Sequence, residues 1–163
     1  MIRATIGILA SSAGGFDADA QAFFDRVDTA GGTLSETEQE AVNQLVLDMK
    51  ADGIWSSIKA IYPMVGASSA SCAQNLKSSS FTGTFNGGWT FASTGATPNG
   101  TNANMDTGLN LNIMNSISDI SYGYYCRTNT QSQGSFGWGV PSAITNEFWI
   151  RYTDGNKYGY LFD

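Results

Sequence analysis

A chain of 163 residues that is 42% hydrophobic, with four Trp, seven Tyr and nine Phe, has apolar material for a packed core. Its length suits one medium domain, or one small domain and part of another. The formal net charge is −6, and the clustered Lys and Arg that displace phosphate counterions are missing, which excludes a nucleic-acid partner. No apolar run approaches the ~20 residues that cross a bilayer, so membrane insertion is not expected. The chain contains no His, which removes Ser-His-Asp, Cys-His and His-ligated zinc chemistry.

Along the chain, Ile2, Ala4, Ile6 and Ile8 alternate with Arg3, Thr5 and Gly7, which reads as an amphipathic strand rather than the core of a signal peptide. Ser11-Ser12-Ala13-Gly14-Gly15 is a flexible linker by composition. Residues 1–15 are therefore expected to form a docking strand and its tether. A lone strand cannot satisfy its own backbone groups, so it pairs with a sheet edge in this chain, a sister chain or a partner, or else frays in solution. The candidate docking residues are Ile2, Ile6 and Ile8.

Residues 16–66 carry helix signals. Ala20, Phe23, Phe24 and Val27 have the i, i+3, i+4, i+7 spacing of a buried helical stripe, closed by Gly31-Gly32. A second helix starts at Ser35, whose capping box is completed by Glu38; it buries Val42, Leu45, Val46 and Met49 and stops at Gly53. The pair is expected to form an antiparallel hairpin too small for an independent core. Trp55, Ile58 and Ile61 would then carry it onto the β part or onto another subunit. The many acidic residues before Gly66 read as its solvated face.

Residues 67–163 read as short strands separated by turns. Phe81, Gly83 and Phe85 share a face, Trp89 and Phe91 follow the Gly87-Gly88 turn, and Leu109, Leu111 and Ile113 alternate with Asn. Ile120, Tyr122, Tyr124 and Cys126 continue the alternation, and Asp154-Gly155 is a hairpin turn between Phe148–Tyr152 and Tyr158–Phe162. The fold class expected is α+β, a small helical hairpin followed by an antiparallel β-sandwich that looks incomplete at its C-terminal end. The missing strands imply either a short sequence or another chain that completes the edge. Cys72 and Cys126 could pair, but two Cys do not make a disulfide framework, and free buried thiols are the preferred reading.

Three groups of residues qualify as candidate sites. Asn102, Asn104 and Asp106 are spaced two apart as in a calcium loop; but one carboxylate is little charge for the ion, and the same residues suit a long turn, the preferred reading. No other cofactor is expected. The β part offers Glu147 with Asp106, Asp119, Asp154 and Asp163 scattered over turns, not the paired carboxylates of a glycosidase, so no enzyme is expected. Tyr125, Trp138 and Trp149 are candidate glycan contacts, because sugar rings stack on aromatic faces. The alternative, burial of these rings in an assembly, is preferred.

Several blocks in one order carry a resemblance: Gly53-Ile54-Trp55-Ser56, Lys59-Ala60-Ile61-Tyr62-Pro63-Met64-Val65-Gly66, Asn75-Leu76-Lys77, Phe85-Asn86-Gly87-Gly88-Trp89-Thr90, Ser93 to Ala103, Asp106-Thr107-Gly108-Leu109-Asn110 and Tyr124 to Asn129. With the preceding helix, Val42 to Lys50, they resemble a family of tailed-bacteriophage structural proteins over nearly the whole chain. The resemblance implies a helical stalk-like segment before a concanavalin A-like (laminin-G-like) sandwich, in a tail, neck or fibre position. Met1-Ile2-Arg3-Ala4 is similar to the particle-docking terminus of that family. The sequence departs from it in a shortened Asn75 to Phe85 segment and in lacking the second half of the sandwich. A virion localisation, a homo-oligomer and contacts with other virion proteins follow as expectations. The alternative is a lectin-like module that recognises host surface glycans.

Overall fold

The computed structural model describes residues 15–109, residues 121, 123, 125 and 127, and the backbone of three strands in 135–138, 148–153 and 156–161. The expected docking strand with Ile2, Ile6 and Ile8 lies outside the described residues, as does most of 110–126. Helices α1 (Ala18–Thr29), α2 (Glu36–Ala51) and α3 (Ser69–Cys72) precede strands β1 (Thr84–Asn86), β2 (Trp89–Ala92), β3 (Gly95–Pro98), β4 (Asn104–Asp106), β5 (Ser135–Trp138), β6 (Phe148–Thr153) and β7 (Asn156–Leu161). The chain is α+β.

Helix α1 begins where Asp17 accepts the Asp19 amide at 3.0 Å, and it buries Ala20, Phe23, Phe24 and Val27, the stripe its spacing predicts. Helix α2 opens with the predicted capping box: Ser35 Oγ accepts the Glu38 amide at 3.3 Å and the Ser35 amide donates to Glu38 Oε2 at 2.9 Å. It ends at Gly53, whose φ of +73° closes the last turn in the left-handed region. The two helices run antiparallel. The Asp17 amide donates to Asn43 Oδ1 at 2.7 Å, and Lys50 Nζ lies 2.6 Å from both Asp17 Oδ1 and Asp19 Oδ2, tying the start of α1 to the end of α2.

Trp55, on a single 3-10 turn (Trp55–Ser57), joins the buried cluster of Ala20, Phe23, Phe24, Val27, Val42 and Val46, with Ile61 and Val65 packed at its margin. Leu76, fully buried, completes this cluster from beyond Gly66, so the helical core draws on the Ser- and Ala-rich stretch around α3. Burying a side chain of the size of Phe23 or Leu76 contributes about 1.5–3 kcal/mol, which explains how so short a segment stabilises the hairpin.

Two polar devices hold that stretch in place. Glu38 reaches from α2 to accept the Gly66 amide on Oε1 at 2.9 Å, and Asn75, fully buried, makes its hydrogen bonds inside the core segment. Gly66 sits at φ +82°, and a Cβ there would lie 2.6 Å from the Thr33 carbonyl and from Ser71 Cβ. Only glycine lets the chain pass so close to the α1–α2 loop.

The strands form three antiparallel sheets among the described residues: β1 with β4, β2 with β3, and β5-β6-β7. Gly87-Gly88 does not close a hairpin between neighbours; it passes the chain from the β1–β4 ribbon into the nested β2–β3 ribbon. Thr153 pairs with Asn156 at the end of the β6–β7 ladder; Asp154-Gly155, the expected turn, lie outside the described residues.

Candidate binding surfaces

Strands β1 to β4 have one apolar face. Phe85 pairs with Met105 across the first ribbon, and Trp89 with Pro98 and Phe91 with Ala96 across the second. The rings gather: Phe85 meets Trp89 at 5.0 Å and Phe91 at 4.9 Å, both edge to face, while Trp89 and Phe91 stack at 6.5 Å. Trp89 Nε1 donates to the Asn86 carbonyl at 3.0 Å, so its polar edge is satisfied locally. All three rings are only half-buried, and no residue of β1 to β4 is buried. Thr84, Asn86, Thr90 and Asp106 lie on the opposite, solvated face.

The candidate calcium residues lie beside these ribbons. Asn102 Oδ1 accepts Asn99 Nδ2 at 2.8 Å, Asn104 Oδ1 accepts Asn86 Nδ2 at 3.2 Å, and Asp106 Oδ1 accepts the Gly108 amide at 2.8 Å. One side-chain oxygen of each candidate ligand is thus engaged by a donor of the chain. Asn99 Oδ1 also takes the amides of Thr101 and Asn102 at 3.0 and 3.2 Å, the local bonding that makes Asn a turn residue. This loop rests on Gly87 and Gly88, where a Cβ would collide with Asn102 and Asn99. Among the described residues, no three His, Cys, Asp or Glu side chains gather as metal ligands.

Of the aromatic candidates, Tyr125 is 87% exposed. Arg127, close by in sequence, donates to the Thr94 carbonyl at 3.4 Å, which brings the Arg127 guanidinium to the β2–β3 turn. The register of β5 and β6 separates the two tryptophans. Trp138 pairs with Phe148 and Gly137 with Trp149, so Trp138 and Trp149 occupy opposite faces of the sheet. Trp138 shares its face with Phe136, Phe148, Ile150 and Leu161, with Tyr152 and Lys157 on the same face toward the β6–β7 turn. On the other face Trp149 pairs with Tyr160 and Arg151 with Tyr158. Arg151, Tyr158 and Tyr160 escape a search for single exposed aromatics, although their period-two alternation with Trp149 is legible in the sequence.

The helical unit holds an open cleft of about 340 Å³ lined by Asp25, Arg26, Thr29, Gln74, Ser79 and Thr82. Arg26 donates from Nη2 to the carbonyls of Asn75 and Leu76 at 2.9 and 3.1 Å, and burial lowers its pKa against the opposing pull of Asp19 and Asp25. Its Nε has no partner among the described residues. Tyr62, half-buried, donates its hydroxyl to the Phe81 carbonyl at 2.5 Å, and desolvation pushes its pKa up to about 12; burial likewise pushes the Cys72 thiol up to about 11. No helix of the described residues is long and apolar enough to cross a membrane.

No protein-family model matches this chain, and no curated protein or solved structure matches it.

Proposed function

We propose that the chain is a structural component of a tailed-phage virion. In this reading a homo-oligomer docks on the tail, neck or capsid through Ile2, Ile6 and Ile8 and displays a concanavalin A-like sandwich. The observation that carries it is the half-covered apolar face of Phe85, Trp89 and Phe91. Two-stranded ribbons are at best marginally stable alone, so a face of this kind needs a second apolar layer. The Phe136, Trp138, Phe148 and Ile150 face has matching polarity, which supports a sandwich built from the two sheets. Repeated copies on one particle then act by effective concentration rather than by tight single-site binding. In the β part, the scattered placement of Glu147, Asp106, Asp119, Asp154 and Asp163 in the sequence supports a role without glycosidase catalysis.

The test is deletion of residues 1–15. The shortened chain is expected to fold with unchanged helical content and to be missing from assembled particles. Full incorporation of the shortened chain overturns the docking role.

A second reading, a lectin-like module for host surface glycans, is favoured by the Trp149, Tyr160, Tyr158 and Arg151 face. Its positions alternate with those of the Phe136, Trp138, Phe148 and Ile150 face, as on the solvent side of a sandwich.

A further inference from the structure

We propose that the face of β5–β7 centred on Trp149, Arg151, Tyr158 and Tyr160 binds an anionic saccharide. The inference rests on the second, glycan-recognising reading and names the chemistry that reading leaves open.

The register puts these residues on neighbouring positions of one face. Trp149 stands opposite Tyr160, and Arg151 opposite Tyr158, on adjacent antiparallel strands. Cross-strand neighbours lie about 4.5–5.5 Å apart, and same-face positions along a strand about 6.4–6.8 Å apart. These spacings suit a sugar ring over the aromatic positions with its acidic substituent at the arginine. On the far side of β6, Gly137 pairs with Trp149 and Ser135 with Arg151, so β5 contributes no bulky residue to this face.

Charge selects the anion. The chain as a whole has 14 Asp and Glu against 8 Lys and Arg. Within their printed bounds strands β5 to β7 contain Arg151 and Lys157 and no carboxylate, while Glu147 and Asp154 flank β6 in sequence. Lys157 pairs with Tyr152 and so belongs to the other face, which leaves Arg151 as the cation of the Trp149 face. A guanidinium offers the paired donors that a sugar carboxylate accepts, while Trp and Tyr meet the apolar C–H faces of the ring.

The experiment applies the full-length chain, fluorescently labelled, to an array of uronate- and sialate-bearing oligosaccharides printed beside their carboxyl-reduced forms. The expected result is retention on the acidic spots at least tenfold above their reduced partners. Arg151→Gln should abolish that preference, and Trp149→Ala should abolish retention. The acidic-to-reduced ratio does not depend on the folded fraction, so the Arg151→Gln result stands even where Trp149→Ala lowers stability. Equal retention of both forms, unchanged in Arg151→Gln, overturns the anionic specificity and leaves glycan recognition standing. No retention of the unmodified chain on any spot overturns both. Self-association that Trp149→Ala dissolves, with no retention on the array, assigns the face to a second copy of the chain and likewise overturns the proposal.

Discussion

Asn75 holds the Ile61 backbone from fourteen residues away: its Oδ1 accepts the Ile61 amide at 3.0 Å while the next amide in sequence, Leu76, donates to the Ile61 carbonyl at 2.7 Å. The rest of the side chain is equally occupied. Oδ1 also accepts the Lys77 amide at 3.0 Å, and Nδ2 donates to the Ser80 carbonyl at 2.9 Å and to Ser78 Oγ at 3.4 Å. A fully buried carboxamide with both ends satisfied is a joint between the core and the chain that leaves it. Asn75→Leu leaves the part-buried Ile61 and Lys77 amides without their acceptor and is expected to cost about 2–4 kcal/mol, at the lower end of the 1–3 kcal/mol that each unsatisfied group costs. Asn75→Asp should be no milder, because it places a carboxylate oxygen against the Ser80 carbonyl. Urea unfolding followed by helical signal checks both; a loss below 1 kcal/mol would show that the joint is dispensable.

Two glycines with similar backbone angles should respond differently to alanine. At Gly53, φ +73°, an added Cβ would meet nothing within 4 Å, so Gly53→Ala is expected to cost only the left-handed strain of about 1–2 kcal/mol. Gly66, at φ +82°, would add a contact of 2.6 Å with the Thr33 carbonyl, an atom that cannot swing aside. Gly66→Ala should therefore exceed Gly53→Ala in thermal destabilisation. It should also break the Glu38–Gly66 bond and detach Ser71, Cys72 and Leu76 from the core. Comparable melting temperatures for the two variants would remove the close approach as the reason for glycine.

The helices were legible because their signals are local. The apolar spacing of Ala20, Phe23, Phe24 and Val27, the Ser35–Glu38 box and the terminating Gly53 each act within a turn or two of their own position, and the structure contains all of them. What the sequence concealed was long-range. Asn75 and Leu76 stand in a Ser-rich stretch without periodicity, and only the fold brings them against α1 and Trp55. The site followed the same division. Alternation along β6 and β7 is visible in sequence, but which face Trp138 shares with which strand depends on register, and register is fixed by pairing rather than by composition.

Acid should loosen the helical unit. Burial opposes the charge on Glu38, yet the amides of Ser35 and Gly66 and the Ser35 hydroxyl outweigh it and hold the pKa below the ordinary value. Asp17 is lowered too, first by its hydrogen bond from Lys50 and then by the Asp19 amide. A carboxylate depressed in the folded state stabilises above its unfolded pKa of about 4, and that stabilisation is lost as pH falls through the folded value. Melting temperature is therefore expected to be flat near neutrality and to fall below about pH 4. Glu38→Gln should start lower and decline less over the same range. Added salt should weaken the Asp17 share, which rests first on the Lys50 ammonium, more than the Glu38 share, which rests on neutral amide and hydroxyl donors. An unchanged slope in Glu38→Gln would assign the acid sensitivity elsewhere.

Cys72 offers a direct view of how firmly the segment after Gly66 is held. Its side chain is fully buried, with Sγ 3.5 Å from the Val65 carbonyl, and burial raises its pKa to about 11. Both the protonated state and the surrounding core protect it, because the thiolate is the reactive form. In a Cys126→Ser background, which leaves one thiol to report, labelling by a disulfide reagent at pH 8 is expected to be slow and limited by opening of the core. Low concentrations of urea should accelerate it in step with loss of helical signal if the segment opens only with the hairpin. Gly66→Ala should accelerate it without urea, since that substitution removes the close approach that seats Ser71 and Cys72. Fast labelling of the unmodified core, at the rate of a free thiol, would mean that Cys72 and Leu76 are not part of a cooperative unit with α1 and α2.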